Sequence, residues 1–286
     1  MAHAATPPVV VVGPASWNTI VRMRTLPDAR PQTLFAEDSW WTVGGTAAGK
    51  ALHLVDRGVP VLLATVIGAD ADGALVEEAL HRAAVPFAAE RVAATERHLN
   101  LMTAAGARIS IYLTLPAAPQ GPLPDAVRDA VADAQHVVLD LSERSRSAIP
   151  AARASGALVW TDLHDYDGEA EYHRDFLDAA DAVFLTHDAL GDPRPFLERV
   201  VAAGKRLAVC TRGAQGAVAL DADGRWYEVA AEPVDVVDAN GAGDAFFAGF
   251  LAATVRGMRT EAALRAAARQ AARALSSRHL SPLLEG

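Results

Sequence analysis

Asp238-Ala239-Asn240-Gly241-Ala242-Gly243-Asp244-Ala245-Phe246 decides how the rest of this chain reads. The β-like run Asp235-Val236-Val237 leads into a Gly-Ala-Gly turn, and a helix opens near Asp244. A helix N-terminus presents backbone N–H groups that the helix itself cannot satisfy, and small residues beside them let an anion approach. A carboxylate there is kept ionised by the helix dipole and can accept a proton. Asp238 adds a second carboxylate to the same turn. Read alone, the segment is equally an ordinary capped helix behind a tight glycine turn.

Outward from this turn, short aliphatic runs alternate with Ala-rich stretches. Val9–Val12, Val61 to Ile67, His136 to Leu141, Ala157 to Trp160, Ala182 to Leu185 and Leu207 to Cys210 read as short buried strands. Between them, residues 46–56, 73–84, 125–132, 195–203 and 260–276 read as helices. That alternation predicts an α/β fold with a largely parallel sheet covered by helices on both faces. Residues 87–115 break the rhythm: 87–94, 99–103 and 109–115 read as consecutive strands, the last two joined by the turn Ala104-Ala105-Gly106-Ala107. A strand group without helices predicts a small antiparallel flap, to which residues 26–43 could contribute. The Pro-rich stretch 116–124 reads as a loop within one domain rather than a domain linker.

Two further glycine turns carry chemistry. Gly44-Gly45-Thr46-Ala47-Ala48-Gly49-Lys50 fits all but the last position of the phosphate-binding P-loop, whose eighth residue must be Ser or Thr to hold Mg²⁺. That residue is Ala51, so the P-loop is rejected. Lys50 is then expected to be a solvated helix residue whose loss has little effect. Thr211-Arg212-Gly213-Ala214-Gln215-Gly216 follows a strand, at the end where open α/β sheets bind ligands.

Together these segments resemble the ribokinase-like, PfkB-type carbohydrate and nucleoside kinases, over nearly the whole chain and in the family's order. Residues 238–246 are similar to the C-terminal signature D-[TP]-[TN]-G-A-G-D-x-F. Gly44-Gly45 before an Ala-rich helix resembles the N-terminal signature, and Val66-Ile67-Gly68-Ala69-Asp70-Ala71-Asp72-Gly73 resembles the G-x-D-x-x-G turn. Residues 180–184 resemble the strand before the N-x-x-E motif, and residues 211–216 the T-x-G-x-x-G nucleotide loop.

The resemblance implies a Rossmann-like three-layer α/β sandwich spanning residues 1–286, with a β-sheet lid built from parts of 14–43 and 87–115. It implies ATP-dependent transfer of a phosphoryl group to a hydroxyl of a sugar or nucleoside. Asp244 would take the hydroxyl proton, and the N–H groups of Gly241, Ala242, Gly243 and Asp244 would form an anion hole. Thr211, Gly213, Gly216 and Asn240 would border the nucleotide. Ser16, Asn18, Gly44, Gly45 and Gly49 would face the substrate. Mg²⁺ would bridge the phosphates, and a monovalent cation such as K⁺ would sit near Asp238.

The chain also departs from the family. Ser16 and Asn18 stand where the family has Asn and Asp, and Gly49 stands where a sugar-binding Asn is usual. Thr186-His187-Asp188-Ala189 replaces N-x-x-E, and its His187 and Asp188 are expected in a surface turn. These changes keep open a second reading, a ligand-binding member with weak or no kinase activity. Asp162-Leu163-His164-Asp165-Tyr166-Asp167 fits no standard metal-ligand spacing; Asp162 is expected behind the residues that touch the substrate. His98 is a candidate substrate contact, Arg97 and Arg108 a solvated lid surface. Trp40-Trp41 is read as covering a substrate ring, closing a lid–lid dimer or packing in the core.

Composition narrows the partners. The chain carries 26 Lys+Arg against 35 Asp+Glu, a net charge of −9, and no basic run, which argues against nucleic acid. No apolar run approaches the ~18–20 residues that cross a bilayer. One cysteine, Cys210, suits a reducing, cytoplasmic compartment and is expected to pack in the core.

Overall fold

The computed structural model describes residues 8–104 and 106–285. The chain runs β1 (Val9–Val12), β2 (Ser16–Met23), β3 (Asp38–Gly44), α1 (Thr46–Asp56), β4 (Val61–Gly68), α2 (Ala71–Arg82), β5 (Phe87–Val92), β6 (Glu96–Thr103) and β7 (Arg108–Thr114). It continues through α3 (Asp125–Asp133), β8 (His136–Leu139), α4 (Glu143–Ser155), β9 (Leu158–Asp162), α5 (Arg174–Ala179), β10 (Ala182–Thr186), α6 (Arg194–Ala202) and β11 (Leu207–Thr211). The last elements are β12 (Ala217–Asp221), β13 (Trp226–Val229), α7 (Ala242–Val255) and α8 (Thr260–Leu275).

The main sheet has nine strands in the order β13-β12-β11-β10-β9-β8-β1-β4-β5. From β11 to β5 every pairing is parallel; β12 and β13 add an antiparallel edge. Strand period two divides the core. Val9 and Val11 join the cluster under α1, α2, α7 and α8, while Val10 and Val12 join the cluster under α3 to α6. The result is a three-layer α/β fold, with helices on both faces of the main sheet. α7 is apolar on all sides because it is enclosed by α1, α8 and the sheet, where Phe247 and Phe250 meet Trp160 and Phe184.

A second sheet has four strands in the order β3-β2-β6-β7. Here the sequence expectation needs correction: Phe87–Val92 is not part of it but pairs in parallel with β4 at the edge of the main sheet. Its half-buried residues carry no period that separates the two sheets. β2 falls within the 14–43 span that the resemblance gives to the lid, but the residue pattern alone begins that part at 26, because Ser16-Trp17-Asn18-Thr19 mixes polar and aromatic residues that bury only on one face. The turn at 104–107 is closed by Thr103 N–H donating to the Ala107 carbonyl at 3.0 Å; Ala105 lies outside the described residues. Arg22 of β2 donates to the Val237 carbonyl, and Trp40 of β3 donates to the Arg278 carbonyl at 2.9 Å, so the small sheet is fastened to the segments flanking α7 and α8.

Candidate functional site

The C-terminal ends of the parallel strands line one edge of the main sheet, where side chains from separate strands converge. Asp140 follows β8, Asp162 ends β9, Thr186 ends β10 and Thr211 ends β11. α1 and α7 pack side by side over this edge. Their approach depends on small residues. A Cβ on Gly45, whose φ is +89°, would lie 2.4 Å from the Pro14 carbonyl oxygen. A Cβ on Gly49 would lie 2.9 Å from Asp244 Oδ2. The glycines of the near-P-loop therefore admit a close helix contact rather than a phosphate.

Residues 235–240 form no strand, contrary to expectation, and α7 starts at Ala242. Gly241 takes φ +78° as its cap, and no side chain caps the first turn. The N–H groups of that turn have no partner within the helix. Open space surrounds the position where a Cβ of Gly243 would stand, so a group can reach these donors. Asp238, 5% exposed, braces the turn by accepting from Asn240 N–H at 2.8 Å. Burial pushes the Asp238 carboxyl up, opposed by that N–H. Asn240 also accepts from Arg108 Nη1 at 3.5 Å, which links β7 to this turn.

Asp244 sits in the first turn of α7 and is buried. Its Oδ1 accepts from Lys50 Nζ at 2.7 Å. Lys50 is wholly buried, which corrects the expectation of a solvated residue. The same ammonium reaches Asp140 Oδ2 at 2.9 Å and Asp162 Oδ2 at 3.3 Å, and lies 5.2 Å from the Phe247 ring centroid. His164, at φ +53°, closes the set: its Nε2 is 3.1 Å from Asp140 Oδ1 and its Nδ1 is 3.7 Å from Asp162 Oδ2.

The charges in this cluster settle one another. Burial disfavours the charge on Lys50, but Asp140, Asp244 and Asp162 outweigh it and hold the ammonium above the ordinary lysine range. Burial likewise opposes the charge on Asp140, yet Lys50 and His164 hold its carboxyl below the usual range. Burial opposes charge on His164 too, and Asp162 and Asp140 raise it to about 9. Asp244 goes the other way: burial raises its carboxyl, with Lys50 opposing and Asp140 adding to the rise. Stripping one partner from such a buried pair costs about 3–5 kcal/mol.

Lys50, Asp140 and His164 were not foreseen as site residues. Lys50 had one visible signal: a lysine in a run of Ala, Gly and Leu has no polar face to point to. Asp140 follows an apolar strand, and His164 stands out only as part of a run whose spacing fits no metal-ligand set. Asp162 is joined to Asp244 through Lys50.

The residues expected to face the substrate fall in two places. Ser16 Oγ donates to Asn18 Oδ1 at 2.8 Å, and both are buried on one face of β2. A Cβ on Gly44 would lie 2.0 Å from Asn18 Nδ2, so Ser16, Asn18, Gly44 and Gly45 cluster at the start of α1. Gly49 lies one turn on, against Asp244. His98 pairs in register with Asn18, and its Nε2 is 2.9 Å from Glu96 Oε1. Arg97 pairs with Asp72 at 3.1 Å, and Trp40 lies against Arg278 while Trp41 is exposed.

The turn after β11 is held by Arg212 N–H donating to the Gly216 carbonyl at 2.7 Å. Gly216 has φ +83°, and a Cβ there would lie 1.9 Å from the Val229 carbonyl oxygen. Gly213, at φ +54°, has open space beside it. The turn thus presents bare backbone at the sheet edge, the surface that a nucleotide with its phosphates requires. His187 and Asp188 lie in the turn after β10, with Asp188 N–H donating to Thr186 Oγ1 at 3.3 Å. Among the described residues, no three His, Cys, Asp or Glu side chains form a metal-binding group.

Comparison with known proteins agrees with this geometry. Residues 9–285 match the pfkB family carbohydrate kinase. The chain is 34% identical to the acarbose 7(IV)-phosphotransferase of Actinoplanes sp. over 263 residues, 90% of this chain and 88% of that protein. The structure of a microbiome-derived acarbose kinase superposes with a TM-score of 0.83 at 32% identity, covering 96% of this chain and 94% of the other. A ribokinase of Arabidopsis thaliana, complexed with ribose and ATP, shares the fold with a TM-score of 0.80 at 22% identity, covering 96% and 95%.

Proposed function

Because the chain belongs to the pfkB family of carbohydrate kinases and is an ATP-dependent carbohydrate kinase, we propose that Asp244 is its general base. The observation that carries this reading is the placement of Asp244. Its carboxylate lies in the first turn of α7, beside the open space at Gly243 and against Gly49 of the helix that Gly44 and Gly45 precede.

In this reading the substrate lies against Ser16, Asn18, Gly44, Gly45 and Gly49, and ATP along Thr211, Gly213, Gly216 and Asn240. Asp244 takes the proton of the acceptor hydroxyl as that oxygen attacks the γ-phosphorus and the bond to the ADP oxygen breaks. The N–H groups of residues 241–244 stabilise the charge gathered on the transferring group. The family implies a divalent cation, and Mg²⁺ would neutralise the phosphates. K⁺ near Asp238 would stiffen the turn that Asp238 and Asn240 already brace.

The small sheet acts as a lid, since Arg22 and Arg108 tie it to the segment before α7. Its edge strand β7 exposes Ile109, Ile111, Tyr112 and Leu113, a row suited to a second copy of the chain. No described helix is long and apolar enough to cross a membrane, and a cytoplasmic site of action fits the single buried Cys210. Acarbose is the first substrate to test, because proteins that act on it are the relatives at 34% and 32% identity.

The test measures ADP released with Mg²⁺ and K⁺ against acarbose, ketoses, aldoses and nucleosides, for wild type and Asp244→Asn. Loss of the base lowers kcat about 10²–10⁴-fold while ATP binding and the melting temperature hold. Wild-type turnover in Asp244→Asn overturns the assignment. Turnover of nucleosides alone replaces the substrate class.

A further inference from the structure

Lys50 has no place in the reaction just described, yet it is wholly buried against three carboxylates. An ammonium has three N–H donors. In Lys50 two of them are given to Asp140, after β8, and Asp244, in the first turn of α7, while Asp162 at the end of β9 pairs with the ammonium at 3.3 Å. The shortest of the three contacts, 2.7 Å, is the one to Asp244.

The other two anchor the ammonium from the rigid side. Asp140 Oδ1 accepts from Leu141 N–H at 3.0 Å and faces His164. Asp162 Oδ1 accepts from His164 N–H at 3.1 Å. Lys50 is wholly buried, so water cannot draw the ammonium away. Gly49 beside it removes the side chain that would hold α1 and Asp244 apart. A helix interior gains nothing from a glycine followed by a buried charge; their joint presence is explained by access to Asp244.

We propose that Lys50 is the positioning residue of Asp244, a buried cation that holds the carboxylate ionised and fixed toward the acceptor hydroxyl while Asp140 and Asp162 tether it to the sheet. The proposal rests on Asp244 being the base. It makes Lys50 a group that acts through Asp244 and touches neither substrate nor phosphate.

The groups facing Asp244 are Lys50 from α1, Asp140 from the end of β8, and Asp162 and His164 from the end of β9, with Phe247 the neighbouring ring on α7. Three carboxylates face two cations when His164 is protonated, which leaves one net negative charge for the base to carry. Removing Lys50 takes an attractive charge from beside Asp244. Removing the charge of Asp140 takes away a repulsive one and leaves Lys50 more fully to Asp244. The two changes act in opposite directions on the same carboxyl, which a packing defect cannot reproduce.

The experiment compares wild type, Lys50→Met and Asp140→Asn in two readouts. One is the acid limb of the pH profile of kcat/KM. The other is a carbon-detected NMR titration of the Asp244 carboxyl in protein without nucleotide. Lys50→Met is expected to move both midpoints up by about one pH unit and to lower turnover about tenfold at pH values below them. Asp140→Asn is expected to move both midpoints down.

Unmoved midpoints in both variants, or shifts of the same sign, overturn the proposal. If Lys50→Met does not fold, Asp140→Asn decides: a downward shift supports it, and an unchanged or raised midpoint overturns it. Failure here is distinct from failure of the base assignment, because Asp244→Asn would still be inactive.

Discussion

Gly49 and Asp244 touch without a side chain between them: a Cβ on Gly49 would stand 2.9 Å from Asp244 Oδ2 and 3.1 Å from its Cβ. The contact ties the N-terminal glycine turn to the C-terminal one, as does the ion pair beside it between Lys50 and Asp244, 194 positions apart in the chain. A larger residue at position 49, such as the Asn usual in the family, would meet the Asp244 side chain.

Gly49→Ala should separate activity from stability. The new methyl pushes the Asp244 carboxylate, and a displacement near 1 Å costs about 10²-fold in rate. Alanine favours helix over glycine by about 1 kcal/mol, so the melting temperature should not fall for propensity reasons. A coupled ADP assay and a thermal melt check both halves. Unchanged kcat would show that Asp244 can give way freely.

Activity should fail on the acid side at a pH well above the ordinary carboxylate range. Burial raises the Asp244 carboxyl to about 6, with Lys50 opposing. A base works only when ionised, so kcat/KM should be flat above that value and fall about tenfold for each unit below it. A profile flat down to the ordinary Asp range would contradict the burial of the free base.

His164 should stabilise the fold at neutral pH and not at alkaline pH. Burial opposes its charge, but Asp162 and Asp140 raise it from 6.5 to about 9. A raised folded-state value means the contribution is complete below 6.5 and is lost as pH rises through about 9. His164→Asn suits the test because asparagine accepts the left-handed backbone at φ +53°. The variant should melt about 2–6 °C below wild type under mildly acidic conditions, and the two curves should converge above the His164 transition. A constant gap at every pH would show that packing, not charge, holds His164.

Gly216→Ala should damage the nucleotide turn. The added Cβ would lie 1.9 Å from a backbone carbonyl oxygen of β13, at a φ of +83° that L side chains rarely adopt. Strain of this kind costs about 1–3 kcal/mol. Calorimetry should show weaker ATP binding together with a lower melting temperature, while Gly213→Ala, also at positive φ (+54°) but with open space beside it, should lose less stability. Equal ATP affinity in Gly216→Ala and wild type would place the nucleotide elsewhere.

Much of the architecture was legible because it follows from local rules. Val9–Val12, His136–Leu139 and Leu207–Thr211 are short apolar runs flanked by turn residues, and such runs become buried parallel strands wherever helices alternate with them. The strand Phe87–Val92 was misplaced because a half-buried strand pairs as readily with one sheet edge as with another; β4 offered the partner. β12 and β13 went unread for a related reason, since an antiparallel edge has no helix to announce it.

The sequence by itself determined the turn at 241–244: glycine, alanine, glycine and aspartate are the residues that can open an anion-binding helix, and their order is local. It also determined that Ala51 cannot serve as the hydroxyl of a P-loop. Only the tertiary structure decided what surrounds Asp244. Lys50, Asp140, Asp162 and His164 come from one helix and two strand ends far apart in the chain, and no periodicity encodes their meeting. Lysine placed on a surface is a solvated charge. The same lysine enclosed by α1, α7 and the sheet edge must find carboxylates, because a buried charge without partners is too costly to keep.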